Sequence, residues 1–588
     1  MSNASICSIC IEECLPRGGR PLIINGCCGK TLHKDCLDSV IAQGGTTCPD
    51  CRATLPNLPS VQPPPPLARR PSRRSYMSTV GNVFGFGGFE GPRSNQTRSG
   101  ISSPGYEDSL LPSPEPVANT TAAESEGIIV SVTNTPERKK ISTAEHPLFY
   151  ATVDVQYSND STIKTPLDIV CIVDVSGSMQ GAKIQSLRKA VEFVISTLGD
   201  QDRLSLVQFN SDADVVHGLA RMTESNKLEA KRLANGLHAG GGTNIYNGMQ
   251  AGWDILCDRR ESNGSTCVFL LTDGQDQQSE REGVRLASTM KEQGCSLMVF
   301  GFGADHDSRL MSAIANAAEG DFTYVDTPDT VIDAFGGAIG SQQGSSIKDV
   351  ELTLQSRNGV KIKNVNAGIY SATISSNQSG STTTFRQLYP GEKRTLLLQL
   401  FIPAVVRSGM LGLYGQATDI SEQLIFTSTI RYTDGSMVTN KEPVECTISR
   451  LNEGFDDASR RIIAVDSHVN RCISTKATQD AMQRADNGDF SGARRIIEDA
   501  LTQIRASSSF AVGNPIVTSS VEDLEEALRA VSNSMEYSGG GRAMCSEAYS
   551  KGSAQRSCYT KKGKSSHWQN TSSMTYQSAA FRSKGTMK

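Results

Sequence analysis

A doubly wound α/β domain set into a β-sandwich, between a small metal-held module and a run of helices, is the fold class that this 588-residue sequence predicts. Three observations predict it. Between residues 165 and 342, short apolar and β-branched runs alternate with helical periodicity, the pattern of a parallel sheet covered on both faces. β-rich segments that lack partners of their own stand on both sides of that stretch, so each flank needs the other. Eight of the 16 cysteines crowd between Cys7 and Cys51, in a segment too short to bury a secure core unaided.

The central domain is organised around Leu167-Asp-Ile-Val-Cys-Ile-Val-Asp174, an apolar run of the length of a strand buried on both faces. Asp174, Ser176 and Ser178 then alternate, so a loop turning at Gly177 can aim a carboxylate and two hydroxyls beyond the strand's carboxyl end. Open α/β sheets bind their ligands there. Gly240-Gly-Gly-Thr243-Asn244 offers a further hydroxyl, and a second buried strand from Cys267 ends in Asp273. Together the five side chains form a set of oxygen donors with two formal negative charges. Such a set suits a hard cation, since magnesium takes about six oxygens and keeps waters, leaving a position for a partner's carboxylate. The plain alternative is a turn whose hydroxyls cap the next helix.

The combination resembles the metal-ion-dependent adhesion site of von Willebrand A domains over about 180 residues, and every side-chain position of that pattern is filled. The resemblance implies one magnesium or other divalent cation held by Asp174, Ser176, Ser178, Thr243 and Asp273. Ile184, Leu187, Val191, Val194, Ile195 and Leu198 recur at helical spacing, and further strands are expected at 203–209 and 295–301. Helices are expected near 227–237, 245–257, 280–293, 308–318 and 329–339. The glycine-rich loop has neither the Lys-Ser/Thr of a P-loop nor a Gly-x-Gly-x-x-Gly pattern, which argues against nucleotide binding.

Residues 5–56 carry Cys7-x-x-Cys10, Cys27-Cys28, His33-x-x-Cys36 and Cys48-Pro49-Asp50-Cys51, eight ligands for two closed tetrahedral zinc sites. Zinc would supply much of the folding free energy of so small a module. The pattern resembles a RING finger, whose interleaved scheme implies Cys7, Cys10, His33 and Cys36 on one zinc and Cys27, Cys28, Cys48 and Cys51 on the other. Its departure is the adjacent Cys27-Cys28 pair in place of Cys-x-His, with Cys14 as a spare or a substitute for Cys27. In ligase-type RINGs an apolar residue inside the first Cys-x-x-Cys and a proline inside the last contact the ubiquitin-conjugating enzyme, and a basic residue after the final cysteine is the linchpin. Ile9, Pro49 and Arg52 occupy those places. Catalysis would then be positioning, with no nucleophile on this chain. Ordinary packing at a zinc knuckle is the competing account of Ile9 and Pro49.

A net charge of −4 predicts no strong attraction to nucleic acid. No run approaches the ~20 apolar residues of a membrane helix, and the first residues lack a basic stretch followed by an apolar one. The expected setting is intracellular and reducing, cytoplasmic with the nucleus left open, where clustered thiols bind zinc rather than form disulfides. Residues 57–124, rich in proline, serine, glycine and arginine, read as a disordered linker. Its Arg69-Arg70-Pro71-Ser72-Arg73-Arg74-Ser75 cluster resembles sites for basophilic kinases, with simple solvation as the plainer reading. Residues 125–160 and 346–450 are expected to build one sandwich around the inserted domain at 165–342. A helical region follows at 455–537, with Ser520-x-x-Asp523 capping its third helix, and a disordered tail at 538–588.

In order of parts the chain resembles the plant wavy-growth family of RING-type ubiquitin ligases. That resemblance implies a zinc module that recruits a ubiquitin-conjugating enzyme, as a monomer or a RING dimer, and an A domain that recruits a protein substrate. A linker of about 70 residues would reach roughly 40 to 50 Å between them. Two other functions fit the same parts: a non-catalytic scaffold with metal-dependent protein contacts, and a chaperone-like partner of an ATPase.

Overall fold

The structure is a computed structural model that describes residues 22–24, 31–33, 128–159, 165–304, 306–327, 330–342, 344, 346–405, 420–435, 437–451, 461–557, 574, 575 and 578. Residues 1–101 and 102–588 form two compact units. In the first, β1 (Leu22–Ile24) and β2 (Thr31–His33) pair antiparallel, Leu22 opposite His33. Ile9, Pro49, Arg52, all seven expected cysteine ligands and the linker at 57–124 lie outside the described residues.

The second unit begins with β3 (Ile128–Pro136), β4 (Lys140–Ser142) and β5 (His146–Asn159). The chain then enters the α/β domain, whose strands are β6 (Leu167–Asp174), β7 (Arg203–Phe209), β8 (Ala213–Arg221), β9 (Ser265–Thr272), β10 (Ser296–Phe302) and β11 (Asp321–Val325). Its helices are α1 (Ala182–Thr197), α2 (Glu224–Asn235), α3 (Ile245–Asp258), α4 (Glu280–Glu292), α5 (Ser308–Ala317) and α6 (Val331–Gln342). The sheet order is β11-β10-β9-β6-β7-β8. Alternate residues of β6 serve two separate cores. Ile169, Cys171 and Val173 pack with α1 and α6, while Val170 and Ile172 pack with α3, α4 and α5. Each fully buried Val or Ile there contributes roughly 1.5–3 kcal/mol. The sheet is not wholly parallel, because β8 runs antiparallel to β7 through two register shifts. That edge strand has no clean apolar period, and Val215 stands 50% exposed on it, so the sequence pattern concealed it.

The chain leaves the domain into β12 (Ile347–Ser356), β13 (Lys361–Asn366), β14 (Ala372–Ile374), β15 (Gly380–Leu388), β16 (Lys393–Ile402), β17 (Ile420–Asp434), β18 (Met437–Asn440) and β19 (Val444–Leu451). Two sheets result, one ordered β13-β16-β5-β3 and the other β14-β15-β12-β17-β19-β4, with β18 on β17. Each therefore mixes strands from before and after the α/β domain. Leu396 pairs with Val153 and Leu398 with Ala151, and all four side chains are buried.

Helices α7 (Ile463–Asp486), α8 (Phe490–Arg505) and α9 (Pro515–Ala530) pack through Ala481, Ile497, Leu501, Val521 and Leu524. Two expectations are corrected here. Ser520 is no cap: α9 starts at Pro515 behind Asn514, and the Ser520 hydroxyl donates to the Ile516 carbonyl inside the helix at 2.8 Å. The region from 538 is not without structure, since α10 (Arg542–Ala554) buries Ala543, Cys545, Ser546, Ser550, Gly552 and Ser553. Small side chains let it sit close to its neighbours. A Cβ at Gly552 would come within 2.6 Å of Thr475 Cγ2, and one at Gly368 within 1.8 Å of the Ser553 carbonyl oxygen. Beyond α10, Gln555 accepts from the Thr395 amide and donates to the Thr395 carbonyl, and buried Arg556 donates to Asp321 at 3.0 Å. Among the described residues no helix is long and apolar enough to cross a membrane.

Candidate metal centre

In the sheet order, β6 is followed by β7 on one side, while β9 lies on the other, so the chain reverses direction of travel between β6 and β9. The crevice beyond their carboxyl ends is where such sheets place ligands. Asp174 ends β6 and Asp273 follows β9, and both are buried, at 0% and 2% exposure.

Local geometry then aims the oxygens. Asp174 Oδ1 accepts from the Ser176 amide at 2.7 Å, folding the chain back into the turn Gly177–Met179. The Ser176 and Ser178 hydroxyls lie 2.9 Å apart, and Ser178 Oγ donates to Asp273 Oδ1 at 2.7 Å. Thr272 Oγ1 donates to Asp174 Oδ2, while the Gly274 amide donates to Thr272 Oγ1 at 3.0 Å. The glycine-rich loop is stitched over this turn: the Gly240 amide donates to the Val175 carbonyl at 2.7 Å and the Gly177 amide to the Gly241 carbonyl at 3.0 Å. Gly241 has φ +87°, a conformation that favours glycine. The loop delivers Thr243 against Gly274, where a Cβ would stand 2.5 Å from Thr243 Cγ2 and 2.9 Å from Oγ1. Asp174, Ser176, Ser178 and Asp273 are thus joined by hydrogen bonds, and Thr243 abuts the residue after Asp273.

Four residues that the sequence reading did not single out complete the arrangement. Lys183, in the first turn of α1, pairs with Asp273 Oδ2. Thr272 holds Asp174. Asp276 accepts from the Ile245 amide at 2.8 Å and caps the turn that precedes α4, which ties the β9 loop to the start of α3. His306 is 6% exposed, with Nδ1 2.6 Å from the Gly303 carbonyl oxygen. For Asp276 the readable signal was a carboxylate three residues before Ser279 at a helix start. The partner of Lys183 lies 90 positions further on, after β9, so no local pattern marks it, and the burial of His306 against the rings of Phe322 and Tyr324 is equally unmarked.

Burial pushes the Asp174 carboxyl above its usual range; hydrogen bonds from Thr272 and Ser176 oppose the shift, and the Asp273 charge adds to it. Burial also holds the His306 imidazole below its ordinary value. Among the described residues no group of three or more His, Cys, Asp or Glu side chains could hold a metal ion. The donor set here differs from such clusters, with two carboxylates and three hydroxyls and neither sulfur nor imidazole. Hard oxygen donors of this type fit magnesium, calcium or manganese rather than zinc or copper. Beside the crevice lies a groove of ≈ 490 Å³ lined by Gln275, His306, Asp307, Phe490, Tyr537 and Arg542 among others.

This fold and crevice define an A-type α/β domain, and residues 168–335 match the von Willebrand factor type A domain family. That segment is a von Willebrand A domain. The chain is 30% identical over 285 residues to the E3 ubiquitin-protein ligase WAV3 of Arabidopsis thaliana, covering 45% of this chain and 35% of that protein. It is 28% identical over 249 residues to the probable E3 ubiquitin-protein ligase WAVH2 of the same plant, covering 40% and 32%. An uncharacterized Synechocystis protein is 23% identical over 353 residues, 58% of this chain and 80% of its own length. The chain thus spans about a third of the length of the first two Arabidopsis relatives it matches. Among solved structures, a von Willebrand factor type A protein from Catenulispora acidiphila superimposes with a TM-score of 0.55 at 18% identity. That match covers 72% of this chain and 98% of the other, and it establishes likeness of fold.

Proposed function

We propose that this chain is a RING-type E3 ubiquitin-protein ligase acting in the cytoplasm, in which the N-terminal module binds a ubiquitin-conjugating enzyme and the A domain recruits a protein substrate. Two zinc ions would hold the N-terminal module through Cys7, Cys10, Cys27, Cys28, His33, Cys36, Cys48 and Cys51. Ile9 and Pro49 would contact the conjugating enzyme, and Arg52 would act as the linchpin. In the A domain, Asp174, Ser176, Ser178, Thr243 and Asp273 would hold magnesium or another divalent cation. Bound there, the cation would offer a coordination position to a carboxylate of the substrate. The observation that carries the recruitment reading is the meeting of Asp174, Ser178 and Asp273 in one hydrogen-bonded chain across the β6–β9 crevice. The ligase reading is supported by the Cys/His spacing and by likeness to proteins named as E3 ligases.

Within this scheme the chain's own residues orient and exclude. The buried loop contacts of Asp276 and Thr272 fix the donor positions before any partner arrives, so little ordering is left to be done on binding. The purified chain with activating enzyme, a panel of conjugating enzymes, ubiquitin and ATP should form ubiquitin chains, and Ile9→Ala and Arg52→Ala should suppress them. Absence of transfer with every conjugating enzyme would leave the non-catalytic scaffold as the reading. Pull-downs with wild-type and Asp174→Ala chains test recruitment separately, and equal partner recovery would remove the cation from it.

A further inference from the structure

We propose that Lys183 is a tethered cation that competes with the divalent ion for Asp273, so that ion binding at this site is an exchange with the lysine ammonium. The inference rests on the metal-site reading above.

Every carboxylate oxygen in the crevice has a donor. Asp174 Oδ1 is held by the Ser176 amide, Asp174 Oδ2 by Thr272, Asp273 Oδ1 by Ser178, and Asp273 Oδ2 by Lys183 Nζ at 2.5 Å. Of these four donors only the last carries a full charge. It therefore neutralises half of the formal negative charge in a pocket where the two carboxylates are almost wholly shielded from water. Its place in the helix supports a role. Lys183 lies in the first turn of α1, which contains no acidic residue. A cation is disfavoured at that end by the helix dipole, and the Asp273 pair offsets the cost. The stem lies over Gly303, whose Cβ would come within 3.4 Å of both Lys183 Cε and Nζ. The side chain is 24% exposed, so solvent lies within reach of a single rotamer change.

A divalent ion drawing on Asp273 needs the electron pairs that now hold Lys183 and Ser178. Two cations on one buried carboxylate repel each other strongly at short range. Ion entry therefore expels the ammonium, and removal of the ion lets it return. Lys183 keeps the paired aspartates stable without the ion and weakens the site for it, which places ion occupancy under the control of divalent concentration.

The test uses the full chain loaded with two equivalents of zinc in every arm, with magnesium titrated by calorimetry and thermal unfolding followed in parallel. Lys183→Met keeps the length of the side chain and removes the charge. It should bind magnesium about tenfold tighter than wild type, unfold at lower temperature in magnesium-free buffer, and recover at saturating magnesium. Lys183→Arg, which keeps a cation, should bind within about threefold of wild type. Lys183→Gln serves as a second neutral variant if circular dichroism shows the methionine form unfolded. Neutral variants that bind magnesium no tighter than wild type overturn the proposal while leaving the metal site standing. Absence of heat with wild type and neutral variants alike overturns both.

Discussion

Asp168 and Asp174 lie six positions apart on β6, both wholly buried, and their replacement should have opposite effects. Asp168 is held by three groups: Arg203 through Nε at 2.8 Å and Nη2 at 2.7 Å, Arg259 Nη1 at 2.8 Å, and the Asn263 amide at 3.0 Å. Arg203 is itself buried, so Asp168→Asn takes the carboxylate from a buried guanidinium in the sheet, at a cost of about 3–5 kcal/mol. For a cooperative unit the size of this A domain, that corresponds to a fall in Tm of roughly 6–20 °C. Asp174 carries its charge at a cost. Its native pKa is raised, so its contribution to stability is whole in acid and is lost as pH rises through the native value. At neutral pH, Asp174→Asn should therefore leave Tm unchanged or higher in magnesium-free buffer. Magnesium then separates the two again. At a concentration of about 100 times Kd, wild type and Asp168→Asn should each gain about 2.7 kcal/mol, and Asp174→Asn should gain nothing. Scanning calorimetry with and without magnesium reads all five quantities. A destabilised Asp174→Asn, or one that magnesium stabilises as it does wild type, refutes the assignment of Asp174 as a charge kept for a ligand.

Three further outcomes follow from neighbouring geometry. Gly274→Ala drives a methyl group into Thr243 and should weaken magnesium binding by about tenfold in calorimetric titration, with unchanged affinity counting against Thr243 as a donor. The native pKa of His306 lies below its unfolded value, so the stability of the neutral ring is present above about pH 6.5 and is lost as pH falls. The loss should approach about 1.4 kcal/mol per pH unit, and a denaturant-midpoint series from about pH 7.5 to about pH 5.5 should be flatter for His306→Gln; equal slopes would place the acid sensitivity elsewhere. Arg556→Leu strips the buried carboxylate of Asp321 of its cation, at a cost of about 3–5 kcal/mol. Hydrogen exchange should then show faster opening of Arg542–Ala554, and unchanged protection there would mean that α10 is held by its small-residue packing alone.

Four of the five candidate donors were legible because they stand at or just beyond the ends of β6 and β9, strands whose burial on both faces is written in apolar runs and whose ends converge by topology, while Thr243 was legible from the glycine-rich loop before α3. The sandwich could be read from a different kind of signal, the incompleteness of each flank: β5 has only β3 beside it from its own flank, and β16 covers its other edge with Leu396 and Arg394 opposite Val153 and Val155. What escaped depends on pairing across long distances or on small residues. Asp321 in β11 looks unfit for a buried strand until Arg556, which lies 235 positions further on, is seen to neutralise it. Helix α10 escaped for a related reason, since its buried face is alanine, serine, glycine and cysteine, and an apolar count reads such a face as solvated. Packing there is gained from close backbone approach, as at Gly368 and Gly552, and not from side-chain area. Lys183 unites both difficulties. A lysine early in a helix is ordinary in sequence, and its meaning arises only when β9 brings Asp273 beneath it. Candidate donors can thus be named from the loops that follow β6 and β9 and precede α3, whereas the lysine paired with one of them becomes visible only in the folded crevice.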